Sequence, residues 1–176
     1  MSSKKHTLIT GQPGIGKTTL VIRLSKELKE FNPFGFYTAE IRKEGIRKGF
    51  ELISLSGAKG LLSYTDIESP FRVGKYGVDI KGFEDFLNSI PFLISVKNLV
   101  IIDEIGKMEC CSDKFIYLIK EILASDSLLI ATISLKGGGF IADIKQRNDV
   151  KLFELTQNNR DTLISDVLKE VKNFYS

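Results

Sequence analysis

Short runs of consecutive apolar residues recur along the chain and alternate with longer amphipathic stretches. Two of the runs, "LVIID" at 99–103 and "SLLIAT" at 127–132, are apolar at successive positions, which is typical of strands covered on both faces of a parallel sheet. Taken with the shorter apolar runs, the pattern predicts strands at 7–10, 35–39, 48–54, 99–103, 128–132 and 152–155.

Three stretches between these strands have the periodicity of amphipathic helices. The first follows a glycine-rich segment, the second begins after Ser112 as a predicted N-cap, and the third begins near Asn159. Strands that alternate with helices predict an α/β fold with three layers and a mainly parallel sheet. The apolar faces of the helices consist of Leu20, Val21, Leu24 and Leu28; Phe115, Leu118, Ile119, Ile122 and Leu123; and Leu163, Ile164, Val167, Leu168 and Val171.

Residues 40–80 depart from this alternation. The segment "IRKEGIRKGFELISL" at 41–55 predicts a β-hairpin that turns at Glu44 and Gly45, inserted as an antiparallel excursion. We therefore expect a mainly parallel sheet with an inserted antiparallel hairpin.

Composition and charge narrow the class of protein. A chain of 176 residues predicts a single domain over 1–176. A net charge of +3 from scattered basic residues gives little of the positive surface that nucleic-acid binding requires, so no nucleic-acid partner is indicated. No apolar run reaches the ~18 residues of a membrane span, and the longest, at 90–102, is interrupted by Lys97 and Asn98. The N-terminus lacks the features of a signal peptide, so we expect a cytoplasmic protein with no membrane partner. Cys110 and Cys111, adjacent and without a nearby histidine, predict no metal site.

The segment "GQPGIGKTT" at 11–19 matches the phosphate-loop pattern G-x-x-x-x-G-K-[ST]. It follows a predicted strand and precedes a predicted helix, so its backbone N–H groups and the helix N-terminus can surround phosphate oxygens. Lys17 is expected to contact the β- and γ-phosphates, and Thr18 to contribute to Mg²⁺ binding. The alternative is a glycine-rich turn with a solvated lysine. The predicted nucleotide-binding residues of this segment are Gly11, Gln12, Pro13, Gly14, Ile15, Gly16, Lys17, Thr18 and Thr19.

Two carboxylates follow the buried strand "LVII". Given the phosphate loop, Asp103 is expected to hold Mg²⁺ through a water molecule, and Glu104, freed by the alternation of strand side chains, to orient the attacking water. The alternative is that both simply form the charged end of a strand. P-loop hydrolases with such a pair insert a strand between the phosphate-loop strand and the metal strand, and 128–134 suits that strand, with Thr132 or Ser134 as the residue that senses the γ-phosphate. A β-branched residue that merely fills a strand end explains Thr132 nearly as well.

On these residues the sequence resembles the small P-loop nucleoside-triphosphatases known as the cancer-related nucleoside-triphosphatase family, found in thermophilic microbes and animals. The resemblance extends over nearly the whole chain. It rests on the segments "GQPGIGKTTL", "GFYTAEIR", "GIRKGFEL", "VGKY", "VIIDEIGKME" and "LTQNNRD".

The resemblance implies a RecA-like P-loop fold and Mg²⁺-dependent hydrolysis of nucleoside triphosphates to diphosphates, with little preference for the base. It adds Gly106 and Lys107 to the nucleotide site, and places Glu40 and Arg42 in the same cleft without a role. The segment "NNRD" has Asn159 where the guanine motif of GTPases has lysine, and helix capping explains Asn159 as well as base contact does. The triple glycine at 137–139 is not among the segments on which the resemblance rests.

Several alternatives remain open at this level. A small kinase or a non-catalytic nucleotide switch would use the same phosphate loop. The cation that stabilises the transition state could be Arg72, Arg147, Arg160 or Lys107, and Glu109 has no assigned role. Base preference, physiological substrate and oligomeric state are not predicted.

Overall fold

The computed structural model describes residues 4–92 and 97–176. Residues 1–3 of the N-terminal segment and residues 93–96 of the apolar run at 90–102 lie outside the described part. Within the described part, none of the helices is long and apolar enough to cross a membrane.

One sheet of nine strands forms the centre of the molecule, in the order β5-β6-β4-β3-β2-β7-β8-β1-β9. Pairing is parallel from β2 through β7, β8 and β1 to β9, and antiparallel from β2 through β3, β4 and β6 to β5. The strands are β1 (His6–Gly11), β2 (Phe34–Lys43), β3 (Ile46–Ser54), β4 (Lys59–Tyr64), β5 (Arg72–Val73), β6 (Tyr76–Val78), β7 (Leu99–Ile105), β8 (Leu128–Ile133) and β9 (Val150–Leu155).

Helices cover both faces of this sheet, so the three-layer prediction is confirmed. The apolar residues of α1 and α5 pack in one buried cluster, and those of α2, α3 and α4 pack in a second cluster on the opposite face. Ser112 is the N-cap of α3, as predicted, and its hydroxyl oxygen accepts a hydrogen bond of 3.1 Å from the Phe115 N–H. The helices are α1 (Lys17–Glu27), α2 (Ile80–Asn88), α3 (Asp113–Ala124), α4 (Phe140–Lys145) and α5 (Leu163–Tyr175).

The antiparallel part is larger than the predicted hairpin. The turn at Glu44 and Gly45 is confirmed, with both residues at positive φ, but β4, β5 and β6 extend the excursion to Val78. The third helix begins at Leu163 and not near Asn159, because Asn159 uses its side chain to close the preceding turn.

Gly35 allows β2 and β7 to approach each other closely. Its φ of 138° is unfavourable for other residues, and a Cβ atom at this position would lie 1.7 Å from the Ile101 carbonyl oxygen. The pairs of Gly35 with Ile101 and Phe36 with Ile102 stand just before the end of β7, where the Thr38 hydroxyl of β2 donates a hydrogen bond of 3.3 Å to Asp103. The close approach therefore brings the ends of the two strands together.

Candidate nucleotide-binding site

The predicted phosphate loop connects β1 to α1, as the motif requires. Gly16 is the N-cap residue of α1 and has a φ of 110°, a conformation that glycine adopts without strain. The Lys17 ammonium group donates hydrogen bonds to the carbonyl oxygens of Gly11 (2.9 Å) and Gln12 (3.3 Å). The lysine is thus folded back over its own loop, with its charge directed at the place where phosphates would be bound.

Asp103 connects the phosphate loop to three strands of the sheet. Its carboxylate is buried, with Oδ2 accepting hydrogen bonds from the hydroxyls of Thr18 (2.7 Å) and Thr38 (3.3 Å) and Oδ1 accepting one from Thr132 (2.7 Å). The sequence indicated the pairing of Thr18 with Asp103 but not the contribution of Thr38. Thr132, considered above as a sensor, is fully buried and holds the Asp103 carboxylate in place.

Glu104 has a different environment from its neighbour. The Ser134 hydroxyl donates a 3.1 Å hydrogen bond to Oε1, and no other hydrogen bond to this carboxylate is found within residues 4–92 and 97–176. Burial raises the pKa of Glu104, the charge on Asp103 raises it further, and the Lys17 ammonium partly offsets both. The charges of Glu104 and Lys17 therefore interact across the loop, although the two residues belong to different elements.

Gly106 lies between two carboxylates. A Cβ atom on this residue would lie 2.7 Å from Oε1 of Glu104 and 2.9 Å from Oε2 of Glu109. Glu109 is buried, and burial first and the Glu104 charge second raise its pKa well above the usual range. Glu109, for which the sequence suggested no role, is thus a buried acid directly behind Glu104. Burial likewise raises the pKa of the Cys110 thiol to about 12, so this cysteine stays a neutral thiol.

The four candidate cations lie in different parts of the fold. The Arg72 guanidinium donates hydrogen bonds to the carbonyl oxygens of Ile67 and Lys75. Arg147 pairs with Asp149 through two hydrogen bonds. Lys107 is exposed in the turn after Gly106, which itself is buried. The fourth, Arg160, is exposed and lies against the phosphate loop.

Lys145 is a cation that the sequence did not indicate. From α4 it donates hydrogen bonds to the carbonyl oxygens of Ser134 (2.5 Å) and Leu135 (2.9 Å), and its charge interacts with Glu104. Nothing in the sequence distinguishes this lysine from the solvated lysines of other helices. It fixes the segment that follows β8 and carries Ser134.

Glu40 and Arg42 lie on the β2–β3 hairpin beyond Thr38. Each Glu40 oxygen pairs with a different arginine, Oε2 with Arg42 (2.6 Å) and Oε1 with Arg47 (2.8 Å), and Arg47 also donates to the Tyr76 hydroxyl (2.8 Å). The two arginines lower the pKa of Glu40. Glu40 thus links Arg42 and Arg47 within the hairpin, and Arg47 extends the contact to the neighbouring strand β6.

The oxygen groups around Asp103 suit Mg²⁺. A buried carboxylate and the Thr18 hydroxyl, 2.7 Å apart, are hard oxygen donors of the kind that this ion prefers, and they lie next to a loop whose N–H groups can bind phosphates. Mg²⁺ is usually bound by one or two carboxylates together with substrate phosphates and water. Thr18 and Asp103 therefore fit the ion.

A phosphate loop between a parallel strand and a helix, with β8 inserted between β1 and the carboxylate strand β7, defines a P-loop nucleoside-triphosphate-binding protein of the RecA-like type. The predicted fold is thereby confirmed.

Comparison with known proteins identifies the family. The model of the family described as "NTPase" matches residues 6–168, and the chain belongs to this family. A protein of Thermotoga sp. (strain RQ2) named "Nucleoside-triphosphatase THEP1" is 46% identical over 166 residues, which is 94% of both chains. The solution structure of a human cancer-related nucleoside triphosphatase superposes with a TM-score of 0.83 at 35% identity, covering 96% of this chain and 98% of the human one. The crystal structure of THEP1 from Aquifex aeolicus superposes with a TM-score of 0.81 at 33% identity, covering 93% of this chain and 97% of the Aquifex chain.

Proposed function

We propose that the protein hydrolyses nucleoside triphosphates to nucleoside diphosphates and phosphate, with Mg²⁺ as cofactor and with broad tolerance of the base. The observation that carries the proposal is the pair at the end of β7. Asp103 accepts hydrogen bonds from three hydroxyls, whereas Oε2 of Glu104 accepts none from the residues that the structure describes. Membership of the NTPase family supports the same reaction.

Different residues bind the phosphates, hold the metal ion and activate the water. The N–H groups of the loop at 11–19 and the Lys17 ammonium bind the phosphates, and Thr18 and Asp103 hold Mg²⁺, Asp103 through water. When bound, Mg²⁺ neutralises part of the charge that develops on the phosphate oxygens. Glu104 orients the attacking water and accepts its proton, with Oε1 fixed by Ser134 and Oε2 available to the water.

A kinase reaction is less well supported by the same geometry. Small P-loop kinases exclude water with a lid whose arginines clamp both phosphate groups. Here the segment 135–148 contains a single arginine, Arg147, and its guanidinium is bound to Asp149. If a nucleoside acceptor were phosphorylated faster than phosphate is released, the kinase assignment would replace ours.

Substitution of Glu104 by glutamine tests the proposal. Because the amide cannot accept the proton, we expect turnover of ATP to fall by about 10²- to 10⁴-fold while ADP binds as in the wild type. Glu27→Gln, an exposed substitution on α1, serves as the control and should leave both quantities unchanged. Normal turnover by Glu104→Gln would remove this residue from the mechanism, and absence of turnover in the wild type over hours would favour the nucleotide switch.

A further inference from the structure

Arg160 is placed against the phosphate loop without a partner of its own. Its Cδ atom lies 3.8 Å from the position that a Cβ atom on Gly16 would occupy. The side chain is exposed, and within the described residues its guanidinium makes no hydrogen bond or ion pair. Arg72 and Arg147, in contrast, each donate two hydrogen bonds to other groups of the protein.

The order of the strands indicates which end of the nucleotide Arg160 faces. It follows β9, which lies beside β1 on the side away from β8 and β7. Neighbouring strands are about 4.8 Å apart, so β9 and the carboxylates of β7 are separated by about 14 Å across the sheet. A γ-phosphate next to Glu104 and a β-phosphate over the loop direct the nucleoside towards β9. Arg160, which follows β9 and contacts the loop at Gly16, therefore lies on the side of the loop towards which the nucleoside is directed.

The turn before Arg160 has its amide side chain occupied. Oδ1 of Asn159 accepts a hydrogen bond from the Thr156 N–H, and Nδ2 donates one to the Glu154 carbonyl, each of 2.8 Å. Both ends of the Asn159 amide are thus engaged in the turn, so its orientation is set by the turn and not by a base. Beside it stands a planar guanidinium, which can stack on any base because every base presents an aromatic face.

We propose that Arg160 stacks its guanidinium on the base of the bound nucleotide and so provides a contact that does not depend on the identity of the base. The inference deepens the proposed function, since it accounts for the breadth of base tolerance at the same site. It concerns binding only, so it can be tested without turnover.

The test compares nucleoside diphosphates with inorganic pyrophosphate. Dissociation constants of ADP, GDP, CDP and UDP, and of pyrophosphate, are measured with Mg²⁺ by calorimetry for the wild type, Arg160→Ala, Arg160→Lys and a matched control, Arg23→Ala. Arg23 is an exposed arginine of α1, so its removal changes the net charge equally. We expect Arg160→Ala to weaken the binding of all four diphosphates about tenfold and to leave the binding of pyrophosphate unchanged. Arg160→Lys should show most of this loss, because lysine keeps the positive charge but lacks the planar guanidinium.

Three results would overturn the proposal. Equal weakening of pyrophosphate and of the diphosphates would make Arg160 a phosphate contact. A loss confined to one base would make it a base-specific contact, and unchanged affinity for all four diphosphates would remove it from the site. Since pyrophosphate and diphosphates are not hydrolysed at the γ-position, each result can be interpreted whether or not the protein hydrolyses ATP.

Discussion

Asp103 and Glu104 are neighbours in sequence with opposite hydrogen-bonding environments. The hydroxyls of Thr18, Thr38 and Thr132 converge on Asp103, whereas Glu104 receives one hydroxyl, that of Ser134. A carboxylate held from several sides is fixed in position, which suits a metal ligand, and a carboxylate held on one side retains an oxygen for a substrate water. The different roles that we propose for the two residues thus follow from their different donors.

Thr132→Val tests the support of Asp103. The substitution removes the 2.7 Å hydrogen bond to a buried carboxylate and leaves the shape of the side chain nearly unchanged. We expect the Mg²⁺ concentration for half-maximal activity to rise by about tenfold, as is usual when a group that supports a metal ligand is lost.

Thr10→Val provides the matched control for Thr132→Val. The Thr10 hydroxyl oxygen is buried without a hydrogen-bond partner among the described residues, so the same change in chemistry removes no bond there. A rise in the Mg²⁺ requirement of similar size in both variants would show that the loss of the bond to Asp103 is not the cause.

Gly106→Ala tests the space between the two glutamates. The new methyl group would lie 2.7 Å from the Glu104 carboxylate and 2.9 Å from that of Glu109, so at least one of them must move. Since a displacement of about 1 Å in a catalytic group can lower turnover about 10²-fold, we expect kcat to fall by at least about tenfold with little change in ADP affinity. Gly138→Ala, where nothing lies within 4 Å of the added atom, should keep full activity; if it fell equally, crowding at Glu104 would not explain the loss.

At the scale of elements, the sequence predicted those whose patterns are local. "LVIID" and "SLLIAT" predicted β7 and β8 because strands buried on both faces are apolar throughout, and Glu44-Gly45 predicted its turn. β5, with two residues, and β6, with three, are too short to show a periodicity, so the extent of the antiparallel part could not be predicted. The start of α5 was wrong because Asn159 forms a turn with Thr156, and a side chain that closes a turn resembles an N-cap in sequence.

The same distinction applies to the site. The phosphate loop and the Asp-Glu pair are contiguous motifs and are therefore visible in the sequence. Thr38 and Lys145 contact the site from elements distant in sequence, and a threonine or lysine in isolation gives no signal. Glu109 can lie this close to Glu104 because Gly106, which has no side chain, leaves room for both carboxylates.

His6 makes the attachment of β1 sensitive to pH. The ring is buried, Nδ1 accepts a hydrogen bond from the Leu129 N–H of β8, and Nε2 donates one to the Leu123 carbonyl of α3, so the neutral ring satisfies both neighbours. Burial lowers the pKa of His6 from 6.5 to about 4, with the Lys5 charge contributing. Because the unfolded chain binds the proton more readily, stability is fully present above pH 6.5 and is lost as pH falls towards 4, by about 3 kcal/mol.

Urea unfolding measured between pH 4 and pH 7.5 tests this dependence. Carboxylates also titrate near the lower end, so the comparison is between wild type and His6→Gln, whose amide has no proton to gain. We expect the variant to be less stable at pH 7.5 but to lose less stability on acidification. Parallel pH profiles for the two proteins would exclude His6 as the cause.

At the scale of the whole molecule, the site joins parts that are far apart in sequence. Asp103 is bonded to the start of α1 and to β2 and β8, so a ligand bound there stabilises both the parallel strands and the phosphate loop. Ligands that bind only the folded state stabilise it, by about 2.7 kcal/mol at a hundred times the dissociation constant.

Thermal unfolding with ADP measures this coupling. We expect ADP, at about a hundred times its dissociation constant and with Mg²⁺, to raise the Tm of the wild type by about 5–10 °C. ADP with a chelator should raise the Tm less. In Asp103→Asn the difference between the two conditions should largely vanish, because the metal-holding charge is lost. A difference that persists unchanged would show that Asp103 does not hold the metal. Each variant is compared with itself, so a lower Tm of the free variant does not affect the result.

Gly35 has a consequence for how this protein would respond to random mutagenesis. Any side chain there meets the Ile101 carbonyl and separates β2 from β7, and with it Thr38 from Asp103. A screen for lost activity would therefore rank Gly35 with the active-site residues, although the glycine itself has no group that could touch nucleotide or metal. The mutants would bind metal weakly in an activity assay. Only a structural measurement, such as amide hydrogen exchange along β2, would reveal that β2 and β7 had separated.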